Sequence, residues 1–279
     1  GPLTDQAPVY QRPATPPADL ERRWVAPQVP VPNHPIESLE RLLQTPDFAS
    51  KAWITEQYDW SVRTNTVQGP GGDAAVVRLK GTPAGLALTS DVNPVYCQLD
   101  PYRGGAQAVA EAVRNLACVG ADAVGLTDCL NFGNPENPEV SWQLGQAVRG
   151  MSEACRALGV AVISGNVSLY NETQTDDGPR SIYPTPTVAM VGVIDDLSHL
   201  PTASFRAAGD RLVLFGRDRA EFGGSAYLRL LFDLEQGRPP EVDLAAELRL
   251  AKLLRRLAGA GILRTAHDLS EGGLAITAA

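Results

Sequence analysis

The sequence contains few of the residues that build zinc, disulfide or nucleophilic sites. Three histidines and four cysteines occur among its 279 residues. The cysteines, which form no C-x-x-C pair, are Cys97, Cys118, Cys129 and Cys155. This scatter argues against a disulfide scaffold and a Cys/His zinc site, and it favours a reducing, cytoplasmic location. A Ser/His or Cys/His dyad is also disfavoured, because the histidines are dispersed and no G-x-S-x-G segment is present.

Positive charge is in deficit as well. The chain has 24 Lys and Arg against 32 Asp and Glu, which gives a formal net charge of −8. An acidic chain without basic blocks lacks a face that neutralises phosphates, so nucleic-acid partners are not expected. No apolar run approaches the roughly 18 residues that indicate a membrane-spanning helix, so no membrane partner is expected either. The composition predicts a soluble, acidic, intracellular protein.

Proline is concentrated at the start of the chain, where nine of the 22 prolines precede Ile36. Because proline fixes φ and removes a backbone donor, residues 1–36 are predicted to form an extended, non-helical linker. A linker connects two bodies, so we expect further residues upstream. We also expect residues downstream, because the last segment, GGLAITAA, begins an apolar helix.

After the linker, strand and helix patterns alternate. Short apolar runs such as AAVVRLK, GLALTSDV, DAVGLTD and TVAMVGVID indicate strands. Residues 104–120 and 141–158 indicate helices, the first with small residues along one face. A weaker break at 197–209 precedes a second unit, in which RLVLFG and ILRTAHDLS are predicted to contain strands and 243–257 a helix. This order predicts an α/β protein of the α+β type.

The segment SGNVSLYNE, residues 164–172, is the strongest candidate for a ligand site. A strand that runs into Gly165 and Asn166 offers backbone N–H groups that phosphate oxygens can approach without a Cβ in the way. The Asn166 side chain has a neutral carbonyl oxygen suited to Mg²⁺, and Ser168 has a small hydroxyl that can hold a substrate oxygen. An ordinary Gly-Asn turn between strands explains the same residues, and spacing alone does not separate the two interpretations.

Asp128 ends the predicted strand DAVGLTD. The carboxyl edge of a strand in an α/β sheet is a usual place for ligand contacts, so Asp128 is a second candidate. The segment that follows, CLNFGNPENPE, is rich in turn formers. An alternative is therefore that Asp128 caps a turn through its own backbone.

Other polar residues are interpreted as structural. Asp73, in GPGGDAAVVRL, follows a glycine-rich run but precedes a strand, which is the wrong order for a P-loop; a surface loop is favoured over a metal-binding turn. Asp100, next to a proline, is predicted to cap a helix. In HDLSEGGL, Asp268 or Ser270 is predicted to cap a helix, and His267 is interpreted as structural rather than catalytic.

Several long segments closely resemble one family. They are TDQAPVYQRP, YDWSVRTNTVQGPGGDAAVVRLKG, DPYRGGAQAVAEAVRNLACVGADAVGLTDCLNFGNPE, SEACRALGVAVISGNVSLYNE and HDLSEGGL. They resemble the C-terminal half of the synthetase chains of the phosphoribosylformylglycinamidine (FGAM) synthase family, within the aminoimidazole ribonucleotide (AIR) synthetase-like superfamily. The resemblance implies the linker at 1–36, a second A domain at 37–202 and an incomplete second B domain at 203–279. It also implies that the A domain is a mixed sheet with helices on one face.

The resemblance implies a function as well. Family members use ATP to activate the amide oxygen of formylglycinamide ribonucleotide (FGAR), and glutamine-derived ammonia then displaces phosphate to give FGAM in de novo purine biosynthesis. Matching positions imply ATP contacts at Asp128 and Gly165, Mg²⁺ at Asn166 and substrate at Ser168. The implied cofactors are ATP and Mg²⁺. The implied partners are the N-terminal half of the same synthetase, a glutaminase subunit and a small accessory subunit.

The resemblance assigns no catalytic residue to this chain. The catalytic histidines of the family lie in the N-terminal half, one of them in an H-N-H-P segment. The matching segment here is SDVNPVYCQLDP, and Arg114-Asn115 stands where the first copy has Arg-Asp. The chain alone is therefore expected to be inactive. Two alternatives stay open: a non-catalytic half that binds a nucleotide structurally, and another ATP-dependent member of the superfamily, such as AIR synthetase or selenophosphate synthetase.

Overall fold

Helices and strands alternate through most of the chain in a computed structural model, which describes residues 5–216, 219 and 221–279. The α-helices are α1 (Leu20–Trp24), α2 (Pro35–Leu43), α3 (Ala52–Thr55), α4 (Pro94–Leu99), α5 (Pro101–Cys118), α6 (Pro138–Leu158), α7 (Ala226–Phe232), α8 (Leu244–Gly259) and α9 (Gly273–Thr277). The strands are β1 (Thr66–Gln68), β2 (Ala75–Arg78), β3 (Gly85–Asp91), β4 (Asp122–Asn131), β5 (Ala161–Ser168), β6 (Glu172–Thr175), β7 (Gly178–Ser181) and β8 (Thr185–Ile194).

Six of these strands form one sheet in the order β1-β2-β3-β8-β4-β5. Neighbouring strands are antiparallel except β4 and β5, which run parallel. The remaining two, β6 and β7, form a separate hairpin after β5. Helix α5 packs against β3 and β8, and α6 packs against α5. The mixed sheet with its helical layer confirms the predicted fold class.

The core lies between this sheet and α5. Apolar residues of α5 recur at helical spacing, and Val109, Ala112 and Leu116 are fully buried. They belong to one cluster with Val188 and Met190 of β8. Along β8 every second residue is buried and the others are only partly covered, which is typical of a strand with one face on the core.

Helices α5 and α6 approach each other closely because glycines lie at their contact. A Cβ at Gly150 would collide with the carbonyl oxygen of Tyr102, and the backbone of Ala147 would obstruct a Cβ at Gly105. The start of α5 is capped as predicted, since the Arg103 N–H donates to Asp100 Oδ1 at 3.1 Å. Close packing and a capped start together fix α5 against its neighbours.

The proline-rich start of the chain is docked on the rest of the described structure. Trp24 Nε1 donates to the Leu99 carbonyl oxygen at 2.7 Å, and the Arg238 guanidinium lies 4.2 Å from the centre of a Trp24 ring. The Gly237 N–H donates to the Arg23 carbonyl oxygen at 2.8 Å. The prediction of a wholly non-helical segment is wrong at α1, which forms where nine consecutive residues before Pro27 lack proline.

The second unit contains fewer strands than predicted. Residues 211–216, RLVLFG, form no strand, and no described segment pairs with them; Leu212 and Val213 are exposed. Similarly, the segment ILRTAHDLS contributes only an isolated bridge between Thr202 and Thr265. A strand pattern needs a neighbour to supply the ladder, and here that neighbour is missing from the described residues. Within the described part of the chain, no helix is long and apolar enough to cross a membrane.

Candidate functional site

The predicted site residues lie on the parallel pair β4 and β5. Asp128 pairs with Gly165, and Asn131, at the end of β4, pairs with Ser168. The strand β4 continues three residues beyond Asp128, and Gly165 and Asn166 lie inside β5. The alternatives in which Asp128 caps a turn and Gly165-Asn166 forms one are therefore wrong. The four candidates share one edge of the sheet.

The same residues are divided between the two faces of the sheet. Asp128 also pairs with Val188, which is fully buried beneath the helical layer, so Asp128 and Gly165 belong to the helix-bearing face. Side chains alternate along a strand, so Asn166 and Ser168 belong to the opposite face. Strand β5 is the last in the sheet and is exposed over residues 161–167. A ligand can therefore reach this edge from both faces.

Gly165 is required by its neighbour on β4. A Cβ at this position would lie 2.5 Å from Asp128 Oδ1, so the carboxylate occupies the space that any other side chain would need. Partial burial raises the pKa of Asp128. Among the described residues, Asp128 makes no side-chain hydrogen bond or ion pair. This carboxylate is thus available to accept a hydrogen bond from a ligand or to share a cation.

Ser168 is held at the end of β5 by a tight turn. Asn171 Nδ2 donates to the Ser168 carbonyl oxygen at 2.7 Å and to the Phe132 carbonyl oxygen at 3.1 Å. Tyr170, between them, has a φ of 61°, in the left-handed region that is uncommon for a residue with a side chain. The turn therefore orients the Ser168 hydroxyl at the strand end.

The donor set at this edge consists of oxygens. It comprises the Asn166 amide and the Ser168 hydroxyl on one face and the Asp128 carboxylate on the other. Within the described residues, no three His, Cys, Asp or Glu side chains are arranged to hold a metal ion. Magnesium usually keeps several waters and takes one or two protein oxygens together with phosphate oxygens. Asn166 and Ser168, which share one face, therefore fit a Mg²⁺ ion that is carried by a bound phosphate group, whereas Asp128 lies on the other face.

A second polar cluster surrounds Arg114 of α5. Its Nε donates to Asp268 Oδ1 at 2.9 Å, and its Nη1 donates to Glu247 Oε1 at 3.1 Å. Nearby, Asn115 Nδ2 donates to Asp91 Oδ1 at 2.8 Å. The second carboxylate oxygens of Asp268 and Glu247 are buried without a hydrogen-bond partner in the described structure. Glu247 belongs to this cluster although no sequence motif marks it.

Two carboxyl groups near Arg114, those of Glu111 and Asp91, have raised pKa values. Burial, with repulsion from Asp268 as the next cause, raises the pKa of Glu111 to about 8. Burial also raises the pKa of Asp91 to about 6. For Arg114, burial acts to lower the pKa, but Asp268 and Glu247 raise it, so the guanidinium stays charged. The Arg114 cation thus lies near two carboxyl groups whose raised pKa values differ, Asp91 at about 6 and Glu111 at about 8.

Asp73 connects this cluster to the glycine-rich segment before β2. It accepts hydrogen bonds from the Asp268 N–H at 3.0 Å and forms an ion pair with His267 Nδ1 at 2.9 Å. The side-chain hydrogen bond between His267 and Asp73 is the main cause that raises the pKa of His267. The preceding residues 70–72 form an exposed turn, as expected for a surface loop, but the Asp73 side chain itself is only 4% exposed. The predicted capping role of Asp268 or Ser270 is wrong, because α9 has Gly272 at its N-cap and no side-chain cap.

The fold and the sequence place the chain in a known class. Residues 71–194 match the family described as AIR synthase related protein, N-terminal domain, and residues 207–279 match AIR synthase related protein, C-terminal domain. The chain belongs to the AIR synthase related family.

Within this family the chain is similar to PurL proteins, which confirms the resemblance to the FGAM synthase family. It is 52% identical over 279 residues to the phosphoribosylformylglycinamidine synthase subunit PurL of Moorella thermoacetica, an alignment that covers 99% of this chain and 38% of that protein. It is 27% identical to Thermotoga maritima PurL complexed with ATP, covering 76% of this chain and 30% of that one with a TM-score of 0.54. The same protein complexed with FGAR matches at 27% identity, with coverage of 76% and 30% and a TM-score of 0.53. The chain therefore spans less than half the length of these relatives.

Proposed function

We propose that this chain is the C-terminal part of an FGAM synthase synthetase subunit, an ATP-dependent ligase of de novo purine biosynthesis. Its substrates would be FGAR and glutamine-derived ammonia. The observation that carries the proposal is the 52% identity to a PurL subunit over 99% of the chain. The similar PurL structures complexed with ATP and with FGAR support both ligand classes.

The β4–β5 edge supplies the ligand contacts in this proposal. Asp128 and Gly165 contact ATP, Asn166 contacts Mg²⁺, and Ser168 contacts the substrate. When bound, Mg²⁺ neutralises charge on the phosphates during phosphoryl transfer, where positioning and electrostatic stabilisation dominate catalysis. The lack of a Cβ at Gly165 leaves room for the Asp128 carboxylate to lie against the backbone of β5. This chain therefore orients the nucleotide and one end of the substrate.

The catalytic histidines belong to the N-terminal half of the synthetase in this proposal. In this chain His267 is engaged by buried Asp73, His199 lies in a short 3₁₀ helix, and His34 precedes α2. Within the described residues, none of the three histidines forms a hydrogen bond or an ion pair with Asp128 or Asn166. The chain alone should bind parts of the ligands without turning them over.

The N-terminal half of the same synthetase is the proposed partner of the open edge. Apolar residues are strongly exposed there: Val162, Ile163 and Val167 are 53%, 67% and 62% exposed on β5. An edge strand with exposed apolar residues favours a covering partner. The similar PurLQS structure from Thermotoga maritima supports further subunits, which we assign as the glutaminase subunit and the small accessory subunit.

The domain arrangement and the location follow from the same proposal. We assign residues 1–36 as a linker, 37–202 as the second A domain and 203–279 as part of the second B domain. The four cysteines are free thiols, and a chain that keeps them reduced suits the cytoplasm.

Calorimetry of Mg·ATP binding to the longer synthetase tests the site. Asp128→Asn should weaken binding by about tenfold or more, because one charged acceptor is lost. Asp177→Asn, on the exposed β6–β7 turn, is the matched control and should leave the affinity unchanged. Wild-type affinity in the Asp128 variant would contradict the assignment of the nucleotide site.

A structural, non-catalytic role is the second candidate, and the cluster around Arg114 favours it. That cluster contains Asn115 where the first copy of the family motif has an acidic residue, and it is closed by internal contacts. If Mg·ATP or Mg·ADP gives no heat even when the N-terminal half is present, the chain acts as a scaffold.

A further inference from the structure

One extra residue interrupts the regular pairing of β4 and β5. Leu126 pairs with Val162, but the next residue of β4, Thr127, pairs with Ser164. Ile163 therefore has no partner on β4 and forms a β-bulge. Such a bulge shifts the alternation of all later side chains by one position relative to the neighbouring strand.

The bulge determines which face each site residue occupies. With uninterrupted pairing, Gly165 would lie opposite Cys129, and Asn166 would lie opposite Leu130, which packs against the core. With the bulge, Gly165 pairs with Asp128 and Asn166 pairs with Cys129. Only the register with the bulge places Gly165, which has no Cβ, beside the Asp128 carboxylate. It also leaves the Asn166 amide on the face of the sheet that does not bear the helices.

Two local features hold the bulge in place. Ser164 Oγ donates to Thr127 Oγ1 at 2.7 Å, directly after the unpaired residue. In addition, Ile163 lies over Gly125 of β4, where a Cβ would be 3.2 Å from Ile163 Cδ1. The Thr127–Ser164 hydrogen bond thus ties the two strands together directly after the bulge, and Gly125 leaves room for the Ile163 side chain.

We propose that the Ile163 bulge, closed by the Thr127–Ser164 bridge, is the positioning device of the ligand edge: it sets Gly165 beside Asp128 and turns Asn166 to the opposite face. Thr127 and Ser164 are positioning residues, because they act through the register of β5. The functional part of this inference rests on the proposed contacts of Asp128 and Asn166 with ATP and Mg²⁺. The register itself does not depend on that proposal.

Disulfide trapping in the 279-residue chain tests the register alone. Asn166→Cys introduces a thiol opposite native Cys129, within the Cα separation of neighbouring strands that a disulfide can span. Under mild oxidation this variant should form an intramolecular disulfide, whereas Val167→Cys, on the other face of β5, should not. The other native cysteines are buried. Equal trapping of the two variants, or trapping of Val167→Cys only, would overturn the proposed register.

Steady-state kinetics of the longer synthetase test the consequence for function. Thr127→Val and Ser164→Ala should each raise the KM for Mg·ATP by roughly three- to tenfold with little change in kcat, because they loosen the register without removing a ligand contact. Thr127→Ser should restore the KM, since it keeps the hydroxyl. Ser90→Ala, an exposed hydroxyl on β3, is the control and should resemble the wild type.

The two experiments separate this inference from the proposed function. Correct trapping with normal kinetics in every Thr127, Ser164, Asp128 and Asn166 variant would refute the ligand site and keep the bulge as a structural feature. Altered kinetics in the Asp128 variant, but not in Thr127→Val or Ser164→Ala, would refute the positioning role alone.

Discussion

The charge of Arg114 should be a major contributor to the stability of the chain. Arg114→Met keeps most of the apolar stem and removes the guanidinium from Asp268 and Glu247, whose side chains are 6% and 19% exposed. Removing one partner of a buried ion pair typically costs about 3–5 kcal/mol, since the other charge stays buried without compensation. Proton uptake by Glu247, whose pKa burial already raises, limits that cost. We therefore expect the free energy of unfolding to fall by about 3 kcal/mol at pH 7.

Urea unfolding of the 279-residue chain measures this loss. The double-mutant cycle with Asp268→Asn isolates the pair, and its coupling energy should be about 1–3 kcal/mol. The cost of Arg114→Met should also shrink as the pH is lowered towards the carboxyl pKa values, because protonated carboxyl groups no longer need the cation. Arg249→Met, on an exposed position of α8, removes the same charge type and should change stability by less than about 0.5 kcal/mol.

A small loss of stability in Arg114→Met would contradict the role assigned to the guanidinium. If Arg114→Met costs less than about 1 kcal/mol, the buried carboxylates find other compensation than the structure shows. Additive effects of Arg114→Met and Asp268→Asn would likewise mean that their 2.9 Å contact does not couple the two groups.

Three further changes probe other parts of the molecule. Glu111→Gln should flatten the decline in the free energy of unfolding between about pH 5 and pH 8. The folded-state pKa of Glu111, about 8, lies above its unfolded value, so the folded chain is destabilised relative to the unfolded chain as the pH rises through this range. Urea titrations at pH 9 should therefore show the variant to be more stable than the wild type by on the order of 2 kcal/mol. Gly150→Ala should destabilise the chain by about 2 kcal/mol or more in thermal unfolding, because the new Cβ meets the Tyr102 carbonyl, whereas Gly145→Ala, with open space around it, should be neutral or stabilising. Asn166→Ala should weaken Mg·ATP use by the longer synthetase by on the order of 1–3 kcal/mol in kcat/KM, and unchanged kinetics would remove Asn166 from the metal site.

The sequence predicted the elements whose periodicity is long and regular. The pattern of α5 and the alternation of β8 were recognisable because each buries one face on a single core. The short run RLVLFG has the same strand composition, yet it forms no strand among the described residues. Composition alone does not supply the neighbouring strand that a ladder requires.

The candidate site was predictable only in part, for a different reason. Glycine and asparagine at positions 165 and 166 are residues typical of a phosphate-binding segment. The bulge at Ile163, which decides on which face of the sheet each of them lies, has no sequence signature. The cluster around Arg114 was less accessible still, because Asp268 is 154 residues away along the chain. Contacts of that separation depend on the tertiary arrangement, which local patterns do not encode.

Asp91, next to the Arg114 cluster, and Asp128, at the β4–β5 edge, lie in one row across the sheet. They are nevertheless far enough apart to act independently. Asp91, Val188, Asp128 and Gly165 are consecutive partners across β3, β8, β4 and β5 on the helix-bearing face. With neighbouring strands about 4.8 Å apart, the two aspartates are about 10 Å apart. Val188 between them is fully buried, and the two carboxyl groups share no hydrogen-bond partner. Perturbations at such a distance usually add. The Arg114 network can therefore stabilise the contact between α5 and the C-terminal segment independently of the ligand contacts proposed for the β4–β5 edge.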